Sequence, residues 1–325
     1  MTIFFSRIQD AGEEDGGMRK YITISGAILA VVLITSLVLS DLHTAEYKGS
    51  ALCKMCHKLT HKESVEAYEK TAHPKAMMKP DAEGAIVGDF ENNPVFTKDK
   101  VAYVLGKGQR EQAYLDANLQ VLPAKWDAVA KKWRPTQAAD GATQCVACHT
   151  VNYDPANKTW SEMGVGCESC HGPGGEHVAG DATAIVKLKA LDKTKQAMVC
   201  GQCHSAGKDP SGKYAHPIGY RPGDDLTKCF VDSKPTAPGR NQQYSEFVQS
   251  KMYAAGKGCT TCHDPHGKSG LKYQLVKVEN DLCLECHAAK LTDLKTHAPT
   301  AAADATCGTC HMHGGVHTFV KPPKE

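Results

Sequence analysis

The sequence predicts a mainly α fold with much irregular loop, a small β meander and a thin protein core, and three observations carry that expectation. Fourteen of the 15 cysteines fall in Cys-x-x-Cys pairs spread from residue 53 to residue 310. Only 6% of the 325 residues are aromatic while 29 are glycine, so the chain has little of its own with which to fill an interior. The helical patterns are short, and each lies close to one of the cysteine pairs.

The first element is an 18-residue uncharged apolar run, Ile22 to Leu39, preceded by Arg19 and Lys20 and followed by Asp41. It is long enough to cross a bilayer. The basic flank orients residues 1–20 to the cytoplasm and everything after Asp41 to the outside, with 21–40 as a transmembrane anchor or uncleaved signal. Val38 and Ser40 also satisfy the small-residue rule for cleavage, so release of a soluble exported chain after Ser40 stands as the alternative. Met18-Arg19-Lys20 fits a signal n-region better than the acidic residues before it.

Helices are expected at Lys62 to Thr71, Gln242 to Ala255 and Ala288 to Thr296, the last two running into the stop signals Gly256 and His297-Ala298-Pro299. Between them, apolar runs at Val101 to Leu105 and Leu119 to Pro123, with Trp126 and Trp133, suggest a β insert over about residues 88–135. Gly106 and Gly108 form a lone Gly-x-Gly with no phosphate-binding helix after it and read as a turn. A formal charge of +2, from 38 basic and 36 acidic side chains, argues against a nucleic-acid partner.

Every Cys-x-x-Cys pair is followed directly by histidine: Cys53 and Cys56 with His57, Cys145 and Cys148 with His149, Cys167 and Cys170 with His171, Cys200 and Cys203 with His204, Cys259 and Cys262 with His263, Cys283 and Cys286 with His287, Cys307 and Cys310 with His311. Two thiols on one helical turn can each add to one vinyl group of a haem, and the following histidine then lies under the iron as proximal ligand. Zinc ribbons also use Cys-x-x-Cys, yet they do not require histidine at the next position. With 16 histidines in 325 residues, seven coincidences exclude zinc, and the expected cofactor is seven covalently bound haem c groups. An odd count of 15 cysteines and this spacing also disfavour a disulfide framework. The fifteenth, Cys229, reads as a plain buried thiol.

Nine histidines are not proximal, against at most seven distal positions, so bis-histidine iron is affordable almost everywhere and open coordination positions are few. His73, His177, His216, His266, His297, His313 and His317 are the distal candidates. His61, four residues after a proximal ring, and Met252, a thioether before the fifth motif, are the second-line ones. His43, beside the apolar run, is read as no ligand. Nothing in the sequence marks a catalytic residue.

Thr71-Ala72-His73-Pro74-Lys75-Ala76-Met77 and Gly164-Val165-Gly166-Cys167-Glu168-Ser169-Cys170-His171-Gly172-Pro173-Gly174 resemble segments of the cytochrome c-554 family, over roughly residues 50–204. The terminal trio, with Cys259-Thr260-Thr261-Cys262-His263-Asp264-Pro265-His266-Gly267, resembles a motif of multihaem cytochromes in general. The resemblance implies a multihaem cytochrome c fold whose core is stacked haems, with His73 as an axial ligand. It divides the exported part into a four-haem region, 41–204, and a three-haem region, 205–325. It implies an electron-shuttling role without fixing the partner; with the anchor, the expected function is a relay between the membrane quinone pool or a dehydrogenase and a downstream redox partner protein. A nitrite- or hydroxylamine-type enzyme and a filament-forming extracellular cytochrome are the alternatives.

Overall fold

Helix formation follows the cysteine motifs. The computed structural model describes residues 46–92, 95–237, 239, 241–290 and 294–319, and the described residues from Tyr47 onward belong to one structural unit. The apolar run Ile22 to Leu39 and His43 lie outside the described residues, among which no helix is long and apolar enough to cross a membrane.

The first motif lies inside α1, Ser50–Thr60, whose last turn carries His57 and Lys58 against the helix dipole. One non-helical residue, His61, separates it from α2, Lys62–Lys70, and the predicted helix is thus present. The second motif spans the break between α3, Gly141–Gln144, and α4, Val146–His149, with Asp140 capping α3 by accepting the Ala142 N–H. The third lies in α5, Glu168–His171, and is followed by α6, Gly175–Val178. The fourth closes α7, Lys193–Gly201, capped by Asp192. Next come α8, Gln243–Phe247, and α9, Lys251–Ala254. The fifth motif opens with a 3-10 turn at Cys259–Thr261, the sixth lies in α10, Glu279–His287, and the seventh in α12, Cys307–His311, after α11, Leu294–His297.

One helix expectation is corrected. The single helix over Gln242 to Ala255 is broken between α8 and α9, because Ser250 turns extended and its hydroxyl accepts the Tyr253 N–H as a new cap. The bend lets Tyr253 pack on Phe247, their rings 5.6 Å apart. Of the helix over Ala288 to Thr296, the described residues give a 3-10 turn, Ala288–Lys290, and α11, and residues 291–293 lie outside them.

The insert is a five-stranded antiparallel sheet in sequential order: β1, Met77–Met78; β2, Tyr103–Leu105; β3, Glu111–Leu115; β4, Ala124–Asp127; β5, Lys132–Pro135. Its register sets Met77 against Leu105, Val104 against Tyr114 and Trp126 against Trp133. Alternation puts Val104, Tyr114 and Trp126 on one face, packed with Phe90, Phe96 and Trp133. Leu105 and Leu115 face the other way, with Met77 and Val146 of the second motif's helix. The run Leu119 to Pro123 is not a strand. Leu119 is held at φ 65° by a turn in which the Asp116 carboxylate accepts the Asn118 and Gln120 N–H groups. Two further ribbons pair β6, Thr150–Val151, with β7, Glu162–Met163, and β8, Gly207–Lys208, with β9, Val231–Asp232.

A third cluster, with Met198, Tyr220, Leu226, Phe230 and Tyr244, joins α7 to α8, and Cys229 packs against it as a small apolar filler. Buried apolar side chains end there. Among the described residues none before Met77 and none after Phe247 is a buried hydrophobic, although four of the seven motifs lie in those stretches. Protein alone gives those motifs no core.

Candidate haem-binding sites

At each site the thiols and the imidazole come from one turn of chain, and tertiary contacts then orient the ring. His149 Nδ1–H donates to the Ala76 carbonyl at 2.7 Å, His171 to Val186 at 2.7 Å, His263 to Tyr273 at 2.9 Å and His204 to the Gln243 side-chain oxygen at 3.1 Å. A carbonyl can only accept, so Nδ1 carries the proton and Nε2 is left as the free lone pair, the tautomer that a metal needs.

Two imidazoles on opposite faces of one iron put their ring centres roughly 6.2 Å apart, from about 2.0 Å per metal–nitrogen bond and about 1.1 Å from nitrogen to ring centre. Five proximal rings have such a partner. His57 faces His177 at 6.2 Å, His171 faces His266 at 6.1 Å, His204 faces His73 at 6.4 Å, His263 faces His317 at 6.2 Å and His311 faces His297 at 6.2 Å. Each gap suits one iron, and each partner comes from a different part of the chain. His61 lies 5.1 Å from His57 with its ring tilted by 53°, closer than an iron-spanning pair, and its Nδ1–H donates to Thr60.

Burial disfavours the charged form of three of these rings, His73, His266 and His317. It pushes His73 down to about 4, aided by the neighbouring His204 and opposed by a hydrogen bond to the Pro265 carbonyl. His266 and His317 are lowered by the same cause. His216 does not face a proximal ring. Its Nδ1 lies 3.5 Å from the Cys148 sulfur, beside Cys203. These two thiols belong to two haem motifs, which accounts for the cluster without a separate metal. His313 is exposed two residues beyond His311, and Met252 is half-buried on α9, while the ring opposite the fifth motif is that of His317.

The cysteines also order the sites. Cys53 lies beside Cys167, Cys148 beside Cys203, Cys200 beside Cys259 and Cys283 beside Cys307. Cys170 acts electrostatically on Cys200 and Cys203, and Cys286 on Cys262. The first site therefore adjoins the third, the third the fourth, and the fourth both the second and the fifth, from which the sixth and seventh follow. Burial pushes the Cys145 and Cys170 thiols up to about 11.

A strap built from backbone and carboxylates holds the first and third sites and the segment of His73 together. Glu168, 1% exposed inside the third motif, accepts the N–H groups of Lys48, Gly49 and Gly174. Glu162 accepts the N–H and hydroxyl of Ser50, whose oxygen accepts the Cys167 N–H. Val165 N–H donates to the His73 carbonyl at 2.9 Å. A Cβ at Gly164, φ +82°, would overlap the Pro74 carbonyl, so only glycine lets the strand lie this close. Sequence reasoning missed Glu162 and Glu168 as structural residues. The signal was present, since an acid between two haem-binding cysteines stays buried only if several donors meet it.

Residues 112–172 match the family described as cytochrome c554 and c-prime, and residues 252–292 match that of the doubled CXXCH motif. The chain is a multihaem c-type cytochrome. Its structure resembles the outer cell wall cytochrome OcwA with a TM-score of 0.70 at 21% identity, covering 84% of this cytochrome and 79% of that chain. Among curated proteins, it is 25% identical over 222 residues to the dissimilatory sulfite reductase MccA of Wolinella succinogenes, covering 56% of this chain and 29% of that one. It is 27% identical over 198 residues to the multiheme cytochrome MtrA of Shewanella baltica, covering 49% and 56% respectively. The cytochrome thus spans at most about half the length of these curated relatives. Covalent haem c at Cys-x-x-Cys-His motifs is common ground.

Proposed function

We propose that the cytochrome carries seven haem c groups and works as an electron relay on the outer side of a cytoplasmic membrane. It would pass electrons from the quinone pool or a membrane dehydrogenase to a downstream redox protein. The observation that supports this best is the unbroken series of neighbouring thiols from the first motif to the seventh, with the fourth as a branch to the second. Bound haem supplies a one-electron iron couple at each motif. The protein's part would be to keep the sites adjacent and to supply a second imidazole to the iron. His73, His177, His266, His297 and His317 would do so at five sites. The run Ile22 to Leu39 would hold the relay at the membrane.

The relative named as a sulfite reductase makes an enzyme the second reading, and one feature favours it: among the described residues, no second ring is paired with His149 or His287 at the 6.1 to 6.4 Å of the other five. Low-temperature electron paramagnetic resonance on the oxidised, haem-loaded cytochrome separates the two. Total haem of seven per chain, with a high-spin fraction that ignores sulfite, nitrite and hydroxylamine, is the result expected of a relay. Turnover of any of the three at a stoichiometric high-spin haem would replace that reading with the enzyme. Sedimentation of the native protein with membranes tests the anchor, and a soluble mature chain beginning after Ser40 would remove it.

A further inference from the structure

Glu246 is 2% exposed on α8 and takes no part in attaching haem. One carboxylate oxygen accepts the backbone N–H of His317 at 2.8 Å, and the other accepts the Gln242 side-chain amide at 2.8 Å. Phe247, the next residue, packs its ring against Phe319 at 6.2 Å. The segment from His313 to Phe319 contributes no buried apolar side chain. The carboxylate and the Phe247 ring are contacts it makes with α8. The same helix serves the neighbouring site, because Gln243 accepts from the His204 ring and Tyr244 N–H donates to the His204 carbonyl at 2.8 Å.

We infer that Glu246 is the positioning residue that latches the segment 313–319 onto α8 and so delivers His317 to the iron of the fifth motif. The inference rests on the relay reading only in taking His317 as an axial ligand. A ligand arriving 54 residues after its proximal partner has a high local concentration only while its segment is held. The carboxylate supplies a hydrogen bond to a charged acceptor, stronger than a neutral one, in a place where water does not compete. The fourth and fifth sites are then coupled through one five-residue helix, which holds the proximal ring of one and the distal ring of the other.

The test uses the full haem-loaded cytochrome and counts low-spin haem by electron paramagnetic resonance. His317→Ala should convert one haem from low to high spin. Glu246→Ala should convert the same one, or make it bind added cyanide about tenfold faster or more. Glu246→Gln keeps an oxygen to accept the His317 N–H and should restore the six-coordinate spectrum. If Glu246→Ala does not accumulate, Glu246→Asp withdraws the carboxylate by one methylene and should give the same faster cyanide binding. Wild-type spin count and cyanide rate in Glu246→Ala, or in Glu246→Asp where that variant stands in, would overturn the latch while leaving the relay intact. An unchanged spin count in His317→Ala would overturn the ligand pairing and the latch with it.

Discussion

At the residue scale, single backbone approaches decide where the distal rings sit. Gly164 is the sharpest case, since any side chain there meets the Pro74 carbonyl and must also adopt a left-handed backbone. Gly164→Ala should therefore displace His73 and turn the fourth motif's haem high-spin, at a stability cost of about 1–3 kcal/mol. The spin count of the purified variant checks this. His73 also sets a pH dependence. Its buried ring resists a proton down to about 4, whereas a released ring takes one below 6.5. The released state binds more protons between those values, so ligation and stability should hold level above pH 6.5 and weaken as pH falls towards 4. A reversible acid titration followed by haem absorption should show this, and a flat response over that window would count against a buried neutral His73.

At the element scale, the helices that carry motifs are short, and buried or half-buried carboxylates join helices to distant chain. The strap of Glu168 is the main example. Glu168→Ala removes the carboxylate that accepts from Lys48, Gly49 and Gly174, of which the bond to Gly174 is fully buried, and should cost about 1–3 kcal/mol. Denaturant unfolding of the haem-loaded variant measures it. The sheet has a conventional apolar core on each face, and its pattern was readable in the run Val101 to Leu105 and at Trp126 and Trp133. Leu119 misled because its burial comes from a turn that aims an apolar side chain inward. Periodicity cannot distinguish that from a strand.

For the whole molecule, the absence of buried hydrophobics before Met77 and after Phe247, among the described residues, makes cofactor and fold one problem. A chain without haem should lack most of its stabilising interior and be rapidly degraded. Changing one cysteine of the central motif, Cys167→Ala, should lower the yield of the entire protein as well as disturb its own site, because the Cys167 N–H and sulfur both contact the first site. Quantitative blotting against the wild type tests this, and a normal level of a folded six-haem variant would contradict it.

Attachment points were legible in the sequence because two thiols and an imidazole on one turn are local chemistry, complete within five residues. The supply of candidate distal histidines was legible too, by count. Which histidine ring faces which was not: His177 lies opposite the ring of the first motif, His73 opposite that of the fourth, His266 the third and His297 the seventh. The order of the sites was equally hidden, with the first beside the third and the fourth at a branch. Those pairings depend on where the chain returns in space, which is set by Glu162, Glu168, Glu246 and the glycines that let strands approach. No spacing along the chain encodes a contact of that range, so the motifs placed the cofactors and the tertiary structure decided how they connect.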